Sequence, residues 1–175
     1  MNRQIKIVLT GAESTGKSTL AEALANHFHS IWIPEFARDY IEKLQEKYSY
    51  NDVEEIARKQ IEIEKQIDTK SPMVFFDTWL IITKVWFDFV YGKHPDWLHR
   101  AILNSNIDLF LLCDTDMPWE ADAVRENGGE NRLKLQEIYI NELQNYKFEY
   151  RMVKGANGQR IQNAINLIKD FQATL

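Results

Sequence analysis

The chain has 175 residues and a formal net charge of −5, with 45% apolar and 12% aromatic residues. This length favours one domain with a proper core, and the apolar and aromatic content argues against disorder. The acidic balance gives no general attraction to nucleic acid, because a polyanionic backbone is bound through a basic patch. The bulk numbers therefore favour a globular domain and disfavour a nucleic-acid partner.

The single cysteine, Cys113, lies in the apolar run 109–113, where we expect a buried thiol that acts as a small hydrophobe. No charged-then-apolar leader precedes the first predicted strand, and no apolar run approaches membrane-spanning length. We therefore expect a cytoplasmic protein in a reducing compartment, without a membrane partner.

The segment from Gly11 to Ser18 reads G-x-x-x-x-G-K-S, between an apolar run at 5–9 and a predicted helix. In that context the pattern predicts a loop whose backbone N–H groups surround a phosphate at a helix N-terminus. Lys17 is expected on the β and γ phosphates, and the Ser18 hydroxyl on Mg²⁺, which prefers oxygen ligands. The residues predicted to hold the triphosphate are Gly11, Ala12, Glu13, Ser14, Thr15, Gly16, Lys17, Ser18 and Thr19.

A short predicted strand at 30–33 is stopped by Pro34, which cannot donate to a central ladder. Glu35 follows at once. Apolar spacing predicts a helix over 36–48, which places Glu35 and Arg38 near each other at its start.

A second helix, with Asn51 as its N-cap, is predicted to extend to about residue 68. The strand predicted at 72–77 ends in Asp77, where a carboxylate can reach the magnesium shell beside a phosphate loop. An apolar run that ends in Asp is weak evidence for a nucleotide site by itself, and it is stronger evidence when a complete phosphate loop precedes it in the chain. Trp79 follows closely, and its spacing fits a core position or a pocket wall.

Residues 118–132 are polar, contain a predicted hinge at Gly128 and Gly129, and carry Arg125 and Arg132. One interpretation is an ordinary surface loop. The other is a lid whose arginines close over the transferring phosphoryl group, because phosphoryl transfer needs cationic charge and exclusion of water.

The last predicted elements are a helix at 133–146, an edge strand at 149–153 and a helix at 159–171. The turn between the last two contains Gly155, which is a candidate adenine contact. A plain strand-to-helix connector explains this turn equally well.

Strands and helices alternate, with crossovers long enough for parallel pairing. This order predicts a single α/β domain over 1–175, a three-layer P-loop NTPase sandwich with a parallel sheet of about five strands flanked by helices and a small lid segment. In open α/β sheets, ligands bind along the carboxyl ends of the strands. The segments predicted to fall on that edge are Gly11 to Ser18, Glu35, Asp77, Asp114 and Gly155.

The reaction class follows from what accompanies the phosphate loop. A GTPase switch would need N-K-x-D and D-x-x-G elements, which the sequence lacks, and a motor would need more chain. A compact domain with a spare carboxylate, aromatics and arginines favours a small-molecule kinase, which positions two reactants and neutralises charge. The rival is an ATP-binding switch that signals through the lid or the helix at 51–68.

A family resemblance rests on three motifs, Gly11-Ala-Glu-Ser-Thr-Gly-Lys-Ser, Pro-Glu35-Phe-Ala-Arg38 and Asp77-Thr-Trp. Together they resemble the ribosylnicotinamide (nicotinamide riboside) kinase domain of bacterial NAD-salvage regulators, a P-loop nucleoside kinase-like, AAA-type ATPase-related domain, over residues 5–168. The resemblance implies that ATP and Mg²⁺ are used to phosphorylate the ribose 5′-hydroxyl of nicotinamide riboside. Those regulators also carry a DNA-binding segment and a nucleotidyltransferase domain, and from the resemblance we expect kinase activity without repression or adenylyl transfer by this chain.

The resemblance and the chemistry of phosphoryl transfer together suggest roles. Glu35 is the preferred general base, because its strand is expected to flank the phosphate loop, and Asp77 would hold Mg²⁺ through water. The sequence leaves these two roles interchangeable. Arg38 would contact sugar or phosphate or pair with a nearby glutamate, and Glu13 is a candidate contact for the acceptor sugar.

A cationic nicotinamide ring suits aromatic faces. The candidate aromatic residues are Trp79, Trp86 and Trp119. The residues predicted to act in catalysis are Lys17, Glu35, Asp77, Arg125 and Arg132. The expected partner is a small nucleoside, and self-association stays open.

Overall fold

The computed structural model describes residues 3–68, 70–121, 125 and 127–175. The strands are β1 (Ile5–Thr10), β2 (Ile31–Ile33), β3 (Met73–Asp77), β4 (Leu109–Cys113) and β5 (Tyr150–Val153). The helices are α1 (Lys17–His27), α2 (Phe36–Glu42), α3 (Tyr50–Lys65), α4 (Leu80–Tyr91), α5 (Asp96–Leu103), α6 (Gly129–Asn145) and α7 (Asn157–Gln172). The predicted fold class is confirmed: a five-stranded parallel sheet is flanked by helices in a P-loop kinase-like α/β arrangement.

The strand order is β2-β3-β1-β4-β5, and every neighbouring pair is parallel. The carboxyl ends of all five strands therefore meet at one edge. The loop that follows β1 leaves the sheet between β3 and β4. We expected the strand before Glu35 to flank this loop, and that expectation is wrong: β2 is an edge strand, and β3 lies between it and β1.

The three central strands are covered on both faces, which explains why most of their residues are apolar. Val8 and Phe76 pair in register and lie in the core shared with α3, α4 and α6. Ile7 and Phe75, one residue earlier, lie in the core shared with α1 and α7. Each such side chain contributes about 1.5–3 kcal/mol when fully buried. The carboxyl edge thus stands on a firmly packed sheet.

The start of α3 and the end of α2 differ from the sequence prediction. The N-cap of α3 is Ser49, whose hydroxyl accepts from the Asp52 N–H, while the Asp52 carboxylate accepts from the Ser49 N–H at 2.7 Å. This reciprocal capping box replaces the predicted cap at Asn51. Helix α2 ends at Glu42 and does not continue to residue 48, because four of the five residues at 43–47 are polar or charged and give little to bury.

Gly11 provides a test of how tightly the loop is built onto the sheet. Its φ is 125°, and a Cβ at this position would lie 2.7 Å from the Cys113 carbonyl oxygen. We expect Gly11→Ala to lower the free energy of unfolding by at least about 1–3 kcal/mol, the usual cost of such strain. Gly158→Ala, in α7 with no atom within 4 Å of the added Cβ, is the control. Urea unfolding measures both, and equal stability of the two variants would contradict the prediction.

Candidate active site

The segment after β1 has the backbone shape of a phosphate loop. Gly16, the N-cap of α1, is left-handed with φ 73° and ψ 23°, and Ser14 is left-handed with φ 57°. The buried Thr15 hydroxyl donates to the Ala12 carbonyl at 2.9 Å and closes the turn. Alternation of this kind points successive N–H groups to one side, ahead of a helix N-terminus. The loop is therefore built to hold an anion.

Helix α6 holds this loop from outside through two buried side chains. Arg132 donates to the carbonyl oxygens of Glu13 at 3.0 Å, Ser14 at 2.9 Å and Met117 at 2.8 Å. One turn later, Gln136 accepts from the Ala12 N–H at 3.0 Å and donates to the Cys113 carbonyl at 3.0 Å.

The location of Arg132 differs from the predicted lid. The lid was expected over 118–132, but α6 already begins at Gly129 and carries Arg132 in its first turn. Its guanidinium donates to backbone carbonyls, since the outward-facing carbonyls of such a loop need donors. Residues 122–124 and 126 of the predicted lid lie outside the described residues.

Lys17 and Ser18 stand at the start of α1, as the motif predicts. The Lys17 ammonium donates to the carbonyls of Gly11 at 3.1 Å and Ala12 at 2.8 Å. The Ser18 hydroxyl lies beside the Asp77 side chain, which is 3% exposed. Burial raises the pKa of Asp77, while Ser18 and the Lys17 charge act in the opposite direction. A hydroxyl beside a carboxylate suits Mg²⁺, which takes oxygen ligands.

A cavity of ≈ 310 Å³ opens beside the loop. Part of its wall is the phosphate loop, and the beginning of α2 adds Glu35 and Arg38. The apolar and aromatic wall consists of Ile41, Tyr48, Ile82, Trp86, Phe89, Val90, Leu135 and Tyr139. Arg125 and Asn127 complete it. A site for a phosphate donor and a region for a flat, apolar group therefore share one space.

Glu35 is the carboxyl group of this cavity whose pKa differs most from its ordinary value. Desolvation raises its pKa from the ordinary 4.5 to about 7, although the nearby positive charge of Lys17 lowers it. The negative charge of Asp77 raises it further. A carboxyl group that changes charge near neutral pH beside a phosphate loop is suited to proton transfer.

Two other predicted substrate residues, Arg38 and Glu13, line the cavity, and both have partners within the protein. Arg38 lines the cavity and also pairs with Glu42 at 3.0 Å, one of the two alternatives that the sequence left open. The Glu13 side chain accepts from the Asn127 backbone N–H at 3.0 Å and from its amide at 2.8 Å. Both Glu13 oxygens are therefore engaged by a residue that the sequence analysis did not single out.

The three tryptophans occupy different environments. Trp86 lines the cavity, and its ring meets that of Tyr48 edge to face at 4.8 Å. Trp79 is 3% exposed and packs on Phe76 in the core, with ring centroids 5.5 Å apart. Trp119 lies against Gly128, where an added Cβ would be 3.2 Å from the indole. Of the three, the structure brings Trp86 into the wall of the large cavity.

Gly155 lies at the carboxyl edge in a left-handed turn with φ 95°. Its N–H donates to the Asp116 carboxylate at 2.6 Å. Arg160 donates to that carboxylate and to the carbonyls of Asp114 and Val153. The turn after β5 is thus tied to the end of β4, and Gly155 is not among the described residues that line the large cavity.

The cavity wall also contains residues that the sequence analysis did not assign to a site. Tyr48 and Tyr139 stand at apolar helical spacings in the sequence, and such spacing cannot distinguish a core ring from a cavity ring. Tyr139 is 6% exposed, and burial together with the charges of Glu13 and Glu35 raises its pKa. Asn127 carried no local signal, since its partner Glu13 is remote in sequence.

A family model described as an AAA domain matches residues 6–160, and the chain belongs to this family. The chain is similar to the trifunctional NAD biosynthesis/regulator protein NadR of Salmonella typhimurium, with 27% identity over 94% of this chain. It spans 42% of the length of that relative.

Solved structures show the same fold. A structure of NadR in complex with NR superposes with a TM-score of 0.80 at 19% identity, covering 96% of this chain and 50% of that chain. A second NadR structure, with NAD and AMP-PNP, gives 0.75 at 20% identity, covering 97% and 50%. Thymidylate kinase from Ehrlichia chaffeensis gives 0.71 at 14% identity, covering 98% and 100%. The fold is therefore shared with nucleoside and nucleotide kinases.

No helix within the described ranges is long and apolar enough to cross a membrane.

The contact between α6 and the loop predicts the effect of a conservative change. Arg132→Lys keeps the positive charge but cannot reach three carbonyls with a planar fork. Because unsatisfied buried carbonyls cost about 1–3 kcal/mol each, we expect lower stability and weaker binding of ATP. Thermal melts and ATP titration measure these effects. Arg100→Lys, on the exposed face of α5, is the control, and identical behaviour of the two variants would refute the assignment.

Proposed function

We propose that this protein is an ATP-dependent kinase that phosphorylates the ribose 5′-hydroxyl of nicotinamide riboside and yields nicotinamide mononucleotide. The observation that carries this proposal is the single cavity that contains the phosphate loop, the Glu35 carboxyl and an aromatic wall. The likeness to NadR, whose name includes NAD biosynthesis and which has been solved with NR, supports the choice of substrate.

The donor would bind through the loop. Its inward N–H groups would take the phosphates, and Lys17 would exchange the carbonyls of Gly11 and Ala12 for phosphate oxygens. Ser18 and Asp77 would hold Mg²⁺, which neutralises the charge that develops on the phosphates. Arg125 lines the same cavity and would contribute a cation, as proposed for the lid.

The acceptor would lie between the loop and the aromatic wall. Glu35 would take the proton of the 5′-hydroxyl, because a base is most effective when its pKa is near the working pH. Asp77 is the weaker candidate for this role, since it lies under Ser18 and is absent from the described lining of the large cavity. Arg38 would contact the sugar or the transferred phosphate from the beginning of α2.

The aromatic wall would receive the base of the nucleoside. A cationic nicotinamide ring gains about 0.5–2 kcal/mol over the face of an aromatic ring. Tyr48 and Trp86 present two rings within one cavity and are the proposed contacts. Glu13 would contact the sugar only after its pair with Asn127 opens. The aromatic wall is therefore suited to a flat, positively charged group such as the nicotinamide ring.

The substrate assignment has a direct assay. Purified protein with ATP and Mg²⁺ is expected to convert nicotinamide riboside into nicotinamide mononucleotide. Chromatography measures the product. Thymidine, uridine and nicotinic acid riboside serve as competitors of different charge and shape. Turnover of another nucleoside alone would keep the kinase and reject the substrate. Steady ATP hydrolysis that no nucleoside alters would favour the ATP-binding switch.

The role of Glu35 predicts a pH profile. Because the base must be ionised, kcat/KM should rise with pH and level off above about pH 7. Glu35→Gln should lower kcat by about 10²–10⁴-fold and leave ATP affinity nearly intact. Glu22→Gln, on the exposed side of α1, is the control. Loss of ATP binding in Glu35→Gln would instead indicate that Glu35 helps to bind ATP and its metal ion and is not the base.

The same group predicts a stability change with a definite sign. The folded pKa of about 7 exceeds the ordinary 4.5, so between these values the folded state holds a proton that the unfolded chain has lost. The free energy of unfolding from this group therefore falls as pH rises from about 4.5 to 7. Glu35→Gln should accordingly raise the melting temperature at pH 8 and change it little at pH 4.5, as measured by calorimetry.

A further inference from the structure

A second, small cavity lies beside Asp77, between the start of α2, helix α3 and the turn that joins β3 to α4. Its volume is ≈ 10 Å³. Its wall includes Asp77, Trp79 and Gln60. This volume is close to the smallest that accommodates one water molecule.

Two of these residues carry buried polar atoms that no other described residue satisfies. They are the Oδ1 acceptor of Asp77 and the Nε1–H donor of Trp79. A buried polar atom without a partner costs about 1–3 kcal/mol, so two beside one cavity call for a common explanation. Gln60 supplies a further donor, because its Oε1 accepts from the Thr83 hydroxyl at 2.8 Å and its amide N–H groups remain for other partners.

We propose that one ordered water occupies the small cavity, accepts from the Trp79 indole and the Gln60 amide, and donates to Asp77 Oδ1. Three hydrogen bonds are the usual number for a buried water. An acceptor and two donors match the capacity of one water molecule, whereas a metal ion would be repelled by the two N–H groups.

Through this water, Trp79 would orient the Asp77 carboxylate in addition to packing in the core. The Ser18 hydroxyl lies beside the Asp77 carboxylate, and the water would hold Oδ1 of the same carboxylate. Trp79 and Gln60 are then positioning residues that fix the carboxylate beside the phosphate loop. The part of the inference that concerns activity rests on the proposed function, whereas the water itself does not.

The water is tested directly, without activity. A crystal structure at about 1.8 Å should show density within hydrogen-bond distance of Trp79 Nε1 and Asp77 Oδ1. In ¹⁵N-tryptophan-labelled protein, the Trp79 indole proton, assigned by its loss in Trp79→Phe, should show cross-relaxation with a long-lived water. A cavity without density, or an indole proton without a water cross-peak, would overturn the proposal.

The positioning role is tested by kinetics with a matched variant. Trp79→Phe keeps a ring and removes the N–H, and we expect kcat to fall about 10-fold or more with KM for ATP little changed. Trp32→Phe, which removes another buried indole N–H, from β2, should leave kcat unchanged. Equal kcat in the two variants would overturn the positioning role.

A failure of the proposed function gives a different result. If no nucleoside is phosphorylated by the unmodified protein, that proposal fails, and the density and the cross-peak still decide whether the water is present.

If Trp79→Phe does not fold, Gln60→Met removes the second donor. Its crystal structure should then show weakened or absent water density, and unchanged density would count against the proposed site.

Discussion

The structure depends on how the carbonyl groups of the phosphate loop are satisfied. A loop that turns successive N–H groups toward an anion must turn carbonyls away from it, and buried carbonyls need donors. Lys17 supplies donors from inside the loop, and Arg132 and Gln136 supply them from α6. Because α6 follows the loop by more than half the chain, the anion site is complete only when the sheet and the helix layer have closed.

This dependence separates what the sequence could predict from what it could not. Strand and helix existence follows from apolar periodicity, and the loop follows from a local motif, so both were predictable. The edge position of β2 was not, because strand order depends on how crossovers pack and leaves no local pattern. The start of α3 was missed for another reason: Ser49 and Asn51 are both good caps, and the reciprocal bond with Asp52 decides between them.

Within the site, the same chemistry appears in different places. A guanidinium binds a phosphate oxygen and a backbone carbonyl with the same donors, so sequence alone could not separate Arg125, in the cavity wall, from Arg132, behind the loop. Tryptophans are ambiguous in a similar way. Trp86 and Trp79 stand on and just before one helix, yet one lines the large cavity and the other packs in the core. Only three-dimensional neighbours resolve these cases.

The balance of charge around Glu35 connects the two halves of the proposed reaction. Desolvation raises its pKa, and the nearby Lys17 is the largest influence that lowers it. In the proposed reaction, phosphates would draw the ammonium group to themselves and bring negative charge into the same cavity. Both changes favour a proton on Glu35. A carboxylate would therefore become a stronger base when the donor is in place, which ties proton transfer to the presence of the group that is to be transferred.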